Sequence, residues 1–76
     1  MTKEEVFSRI SSDAEIMHGT PCIKGTRIPV WLVVGMMGDG ETEDEILKQY
    51  PSLSPVDIKA ALKYASYTAH SEYVPL

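Results

Sequence analysis

From Pro29 to Met37 every position except Gly35 is apolar. That density predicts a helix buried on most of its sides. Val30, Val33, Val34 and Met37 share one face, while Leu32 and Met36 lie on another beside Trp31. One core built by so short a chain can hardly cover all of them. Part of this helix, with Trp31, Leu32 and Met36 as the candidates, is therefore expected at a homodimer contact. The pattern then changes to amphipathic helices. Ile46, Leu47 and Tyr50 give the buried stripe of a helix over 43–50, which Pro51 stops. Ile58, Ala61, Leu62 and Ala65 give the inner face of a last helix over about 55–69, with Lys59, Lys63, Ser66, Tyr67 and His70 mostly opposite.

The helix ends carry their own signals. Thr42-Glu43-Asp44-Glu45 has the form of a capping box, in which the N-cap hydroxyl and the third-residue carboxylate satisfy each other's backbone N–H groups. Ser54 is the expected N-cap of the last helix and Pro55 its first residue, with Leu53 and Ile58 placed for a hydrophobic staple. Gly38-Asp39-Gly40 closes the buried helix, where glycine can take the left-handed cap conformation. Pro29 fits the first position of that same helix.

The N-terminal third is less periodic. Thr2-Lys3-Glu4-Glu5 is another capping box, but the segment is short, and residues 2–8 read as a frayed helix or arm. Residues 9–11 are expected to form a strand pairing with Cys22-Ile23-Lys24. The stretch from His18 to Trp31 holds two glycines and two prolines. It should be extended and turn-bounded, with Gly25 at φ > 0. Arg27 is expected to be held by hydrogen bonds within that turn. One domain over residues 1–76 is expected, with a mobile end after His70.

Together these elements predict a mainly α fold. It is a three-helix, helix-turn-helix (homeodomain-like or winged-helix-like) domain with a short N-terminal β element. In such a fold Lys24, Arg27, Ser54, Lys59 and Lys63 are the candidate DNA contacts, through phosphates or base edges. Charge weighs against strong DNA binding by a lone monomer. The net charge is −4, and Asp39, Glu41, Glu43, Asp44 and Glu45 stand together without a base among them. These five form the candidate surface for a protein partner. An acidic surface can imitate nucleic acid and occupy a basic cleft on a partner.

Other chemistry is thinly supported. Cys22 and His18 have neither a carboxylate partner nor an oxyanion pattern beside them, so a structural cysteine and a turn histidine are the better readings. Lys24-Gly25-Thr26-Arg27 lacks the residue order of a phosphate-binding P-loop. Trp31, Tyr64 and Tyr67 could stack on bases, but aromatics at helical spacing more often serve a core or an interface. No enzyme activity, cofactor or metal is expected. No apolar run approaches the ~20 residues of a membrane span, and no secretory signal is visible at the N-terminus.

The wording of the central stretch adds a resemblance. Ile10, Asp13, Glu15, Ile16, Gly19, Pro21, Ile23 and Gly25-Thr26-Arg27-Ile28-Pro29-Val30 follow the pattern of domain-of-unknown-function family 433. So do Glu45-Ile46-Leu47, Tyr50-Pro51-Ser52-Leu53 and Ala60-Ala61-Leu62-Lys63-Tyr64-Ala65, over about residues 10–66. The resemblance implies a helix-turn-helix-like trihelical fold. It also implies an antitoxin of the VapB type that neutralises a PIN-like ribonuclease toxin and represses its own operator DNA as a dimer. With the lone cysteine, it implies a cytoplasmic protein. Two departures from the family pattern remove basic charge: Thr20, where lysine is common, and Tyr67-Thr68-Ala69-His70, where a more charged tail is common. Both shift the weight toward protein binding. The alternatives are a pure protein-interaction module without DNA binding, and a DNA-binding transcriptional regulator without a toxin partner.

Overall fold

The first helix forms where the capping box predicts it. Glu5 N donates to Thr2 Oγ1 (3.2 Å) and Thr2 N donates to Glu5 Oε1 (3.3 Å), opening α1 (Lys3–Ser8). The computed structural model describes residues 1–71. Of the frayed helix or arm expected for residues 2–8, the helix is what forms, and it is docked rather than frayed. Val6 is fully buried, and α1 is docked along the last helix, α4 (Pro55–Ser71). An isolated six-residue helix is marginal in water, so this tertiary contact is what holds α1.

Strand β1 (Ile10–Ser11) pairs antiparallel with β2 (Cys22–Ile23), Ile10 opposite Ile23 and Ser11 opposite Cys22. A further bond from Lys24 N to Arg9 O (2.9 Å) brings the contact to the expected span. Between the strands Asp13 organises a turn: its carbonyl accepts from Ile16 N and Gly19 N, and its carboxylate from Glu15 N. After β2 the chain reverses over Ile23–Thr26, with Thr26 N donating to Ile23 O (3.0 Å) and Gly25 at φ 80°. Positive φ at the third turn position alone is the type II geometry that favours glycine. Thr26, not Arg27, braces this turn. Its Oγ1 donates to Ile23 O and accepts from Ile28 N, whereas Arg27 is exposed.

Helix α2 (Val30–Gly38) starts one residue later than expected, because Pro29 remains extended (φ −71°, ψ 148°) as its N-cap. Pro29 is still bridged to Cys22, and Val30 N is tied to Pro21 O (2.9 Å), so the chain turns helical only beyond it. At the other end Gly40 N donates to Met37 O and Glu41 N to Met36 O, with Gly40 at φ 92°. This pair of bonds is the Schellman closure. Helix α3 (Glu43–Gln49) opens on the second capping box, Thr42 with Glu45. The short connection through Pro51 then leads to α4.

The core lies among α2, α3, α4 and β2. Ile23, Val30, Val33, Met36, Ile46, Leu53, Ile58 and Ala61 form one buried cluster. Leu53 and Ile58, the expected staple, are both in it. Met36 is 7% exposed and packs into this core, so its side chain is not on a subunit face. Leu32 is half-buried against the same cluster. The inner side of α4 is also rotated from the expected one: Ala60 is buried and Leu62 is 38% exposed. Ala60 shares its side of α4 with Tyr64 and Tyr67, four and seven residues on, and Phe7 of α1 packs against both rings. Docking of α1 therefore widens the buried face of α4 in that direction.

Candidate functional site

Helix α4 and its N-cap carry three of the five expected nucleic-acid contacts, Ser54, Lys59 and Lys63, and their surroundings divide them. The Ser54 hydroxyl is committed to its own helix. Ser54 Oγ and Ser54 N both donate to Asp57 Oδ2 (3.1 and 2.9 Å), and Asp57 N donates to Ser54 Oγ (3.4 Å). Asp57 Oδ1 accepts from Arg9 Nη1 at 3.0 Å, the only ion pair among the described residues. The Asp57 carboxylate, which would otherwise repel a phosphate beside Ser54, is thus already matched to a cation. Local patterning offers no signal for that pair, because its members stand 48 positions apart.

Lys59 is exposed on α4. Lys63 is exposed too, but its Nζ lies 5.3 Å from the centroid of the Tyr67 ring, and Lys3 Nζ from α1 lies 5.3 Å from the same centroid. The structure therefore gathers Lys63 with Lys3, a residue that the sequence pattern does not single out, through contacts of the cation–π type. The Lys63–Tyr67 spacing is visible as an i, i+4 pair; Lys3 joins only because α1 docks on α4. Lys24 and Arg27 are both exposed on the Gly25 turn. Neither side chain has a hydrogen bond or ion pair among the described residues.

The acidic candidates sit together at the opposite end of α2, where it passes into α3. Glu45 is used by the capping box, and Glu41 accepts a hydrogen bond from Gln49 Nε2. Asp39, Glu43 and Asp44 have no hydrogen bond to their carboxylates and no ion pair among the described residues. Asp39, Asp44 and Glu45 are exposed, Glu41 and Glu43 half-exposed. This end of the domain consequently projects uncompensated negative charge.

Of the dimer candidates only Trp31 stands free, at 61% exposed. It forms one wall of an open apolar hollow of about 460 Å³ between α2 and α4. Val34 and Gly35 continue the α2 wall, and Tyr64, Ala65 and Thr68 form the α4 wall. Sequence pattern singles out Trp31 and Tyr64 but does not set them on one hollow, since which residues of two helices meet is not written in either helix alone.

Cys22 is buried, with its Sγ 3.3 Å from Thr20 O, and His18 is exposed in a left-handed turn at φ 56°. Among the described residues no three His, Cys, Asp or Glu side chains gather as a metal-binding group. No helix among them is long and apolar enough to cross a membrane.

These features define a small, mainly helical domain with a two-stranded antiparallel sheet, an acidic end and an apolar hollow. By sequence the chain belongs to the family described as protein of unknown function (DUF433), whose model matches residues 10–65. Its backbone is similar to the crystal structure of a DUF433 member protein from Anabaena variabilis ATCC 29413, with a TM-score of 0.77 and 27% identity. That likeness covers 93% of this chain and 80% of the other. A relative from Sinorhizobium fredii (strain NBRC 101917 / NGR234), uncharacterized protein y4eO, is 36% identical over 56 residues. The match covers 74% of this chain but spans only 25% of that relative's length.

Proposed function

We propose that this chain is a binding domain of the antitoxin kind whose primary contact is a protein, a PIN-like ribonuclease with a basic cleft. DNA contact through Lys59 and Lys63 of α4 is secondary to it. The ribonuclease partner is carried over from the family resemblance; the choice of protein over DNA rests on charge. The carrying observation is the run Asp39 to Glu45, five carboxylates without an ion pair among the described residues. A nuclease cleft is lined to hold phosphodiesters, so it attracts a run of carboxylates and speeds encounter with the domain that bears them. The same run repels a DNA backbone within about one Debye length, roughly 8 Å at physiological salt.

The reading requires a PIN-like ribonuclease gene beside this one, and the test is co-expression with its product. Reversing Glu43 and Asp44 to lysine should release ribonuclease activity that the unaltered chain holds in check. A chain that leaves the nuclease active, yet binds its own upstream DNA with a steep salt dependence, would overturn the proposal. That result would favour a second reading, a DNA-binding regulator without a toxin partner, for which exposed Lys59 speaks. Under it Lys59→Ala should flatten the salt slope by about one unit.

A further inference from the structure

The hollow between α2 and α4 lies beside a protruding tryptophan on one and the same face, and this points to an occupant. We propose that the hollow receives Trp31 of a second copy of this chain, in a two-fold homodimer in which each copy inserts one ring and accepts one. A surface that carries both a knob and a hole is self-complementary, which is what an isologous contact requires. A foreign partner would need only one of the two.

Two further observations fit a second copy. The hollow's walls contain no Asp, Glu, Lys, Arg or His, while the chain carries a net charge of −4. Two like-charged copies can approach on this face without burying a carboxylate, a step that would be costly. The α2 wall ends at Gly35, where an added Cβ would meet nothing within 4 Å. The absent side chain is what leaves room for an indole. Two inserted rings and the walls that receive them bury roughly 600 Å², about half the lower bound of a standard interface, roughly 1,200 Å². The dimer is therefore weak and its population concentration-dependent.

Trp31 is the one tryptophan of the chain, so its emission reports the site directly. Sedimentation of the full chain from low micromolar to several hundred micromolar should show monomer passing to dimer, with tryptophan emission shifting to the blue in step. Trp31→Ala should raise the dissociation constant about tenfold or more. Gly35→Leu should do the same by filling the hollow. Because leucine is the better helix former, its melting temperature should not fall. A chain that stays monomeric at the highest concentration would overturn the proposal. So would either variant dimerising as the unaltered chain does, or a monomer whose emission is already blue-shifted at every dilution, the sign of a ring covered within one copy.

Discussion

The two sides of α4 use similar residues to opposite ends. Toward α1, Phe7 meets the Tyr64 ring edge-on at 6.2 Å and the Tyr67 ring at 5.9 Å, and Arg9 pairs with Asp57. Every large group there has a partner within the chain. Toward the first half of α2, Tyr64, Ala65 and Thr68 face an open hollow, and Trp31 stands 61% exposed beside it. Aromatic side chains at helical spacing thus do not announce their role. What separates the two sides is whether a third element packs against them: α1 does so on one side only, and Tyr64, which meets Phe7 there, also borders the hollow.

If that contrast is right, substitutions on the closed side should cost stability and those on the open side should not. The largest effect is expected at Val6, the fully buried anchor of α1. Val6→Ala removes two methyl groups from a packed seam and should cost about 2 kcal/mol, with loss of α1 from α4. Urea unfolding should show the midpoint falling. An unchanged midpoint would mean that α1 is an arm after all. Asp57 comes next. Its carboxylate caps α4, worth about 1 kcal/mol, and pairs with Arg9. The Arg9 side chain is 43% exposed, so the ion pair adds only a few tenths to about 1 kcal/mol. Asp57→Ala should cost about 1.5 kcal/mol in total. Arg9→Ala should cost less, because it leaves the cap in place.

How far this could be read beforehand depends on the range of each signal. Both threonine capping boxes, the Ser54 cap, the glycine closure of α2 and the positive φ of Gly25 all involve residues within a few positions of one another. Local sequence carries them. The Cys22–Ile23 pairing was legible because its partner strand is short and its turn residues are distinctive. Met36 was not legible as core. A helix apolar nearly all round has no stripe to show which side faces inward, so Met36 and Trp31 looked alike. Arg9–Asp57 and Lys3–Tyr67 were beyond reach, since both depend on the N-terminal segment docking against a helix far along the chain. Arg27 failed for another reason. A threonine hydroxyl at Thr26 can brace the turn by itself, which leaves the arginine free for a partner or for solvent.

Gly25 gives the next effect in size and tests a turn outside both sides of α4. Its φ of 80° is strained for any residue with a Cβ, although the space beside it is open. Gly25→Ala should therefore cost about 1 kcal/mol through backbone conformation alone. A similar loss with Gly25→Asn would be unexpected, because asparagine tolerates left-handed geometry better. Parallel melting curves of the two variants separate the possibilities.

The smallest expected effect is the most informative about the open side. Trp31→Ala deletes the bulkiest side chain in the molecule, and deletion of a buried tryptophan typically costs about 3–5 kcal/mol. Here most of the ring is already in water, so little apolar area is re-exposed in the monomer. Alanine is also the better helix former, worth roughly half a kcal/mol at an exposed position of α2. The two terms nearly cancel. At concentrations where the chain is monomeric, the unfolding free energy should move by less than about 0.5 kcal/mol in either direction. A drop of about 2 kcal/mol or more in dilute solution would place the indole in the monomer's own packing and erase the difference between the two sides of α4.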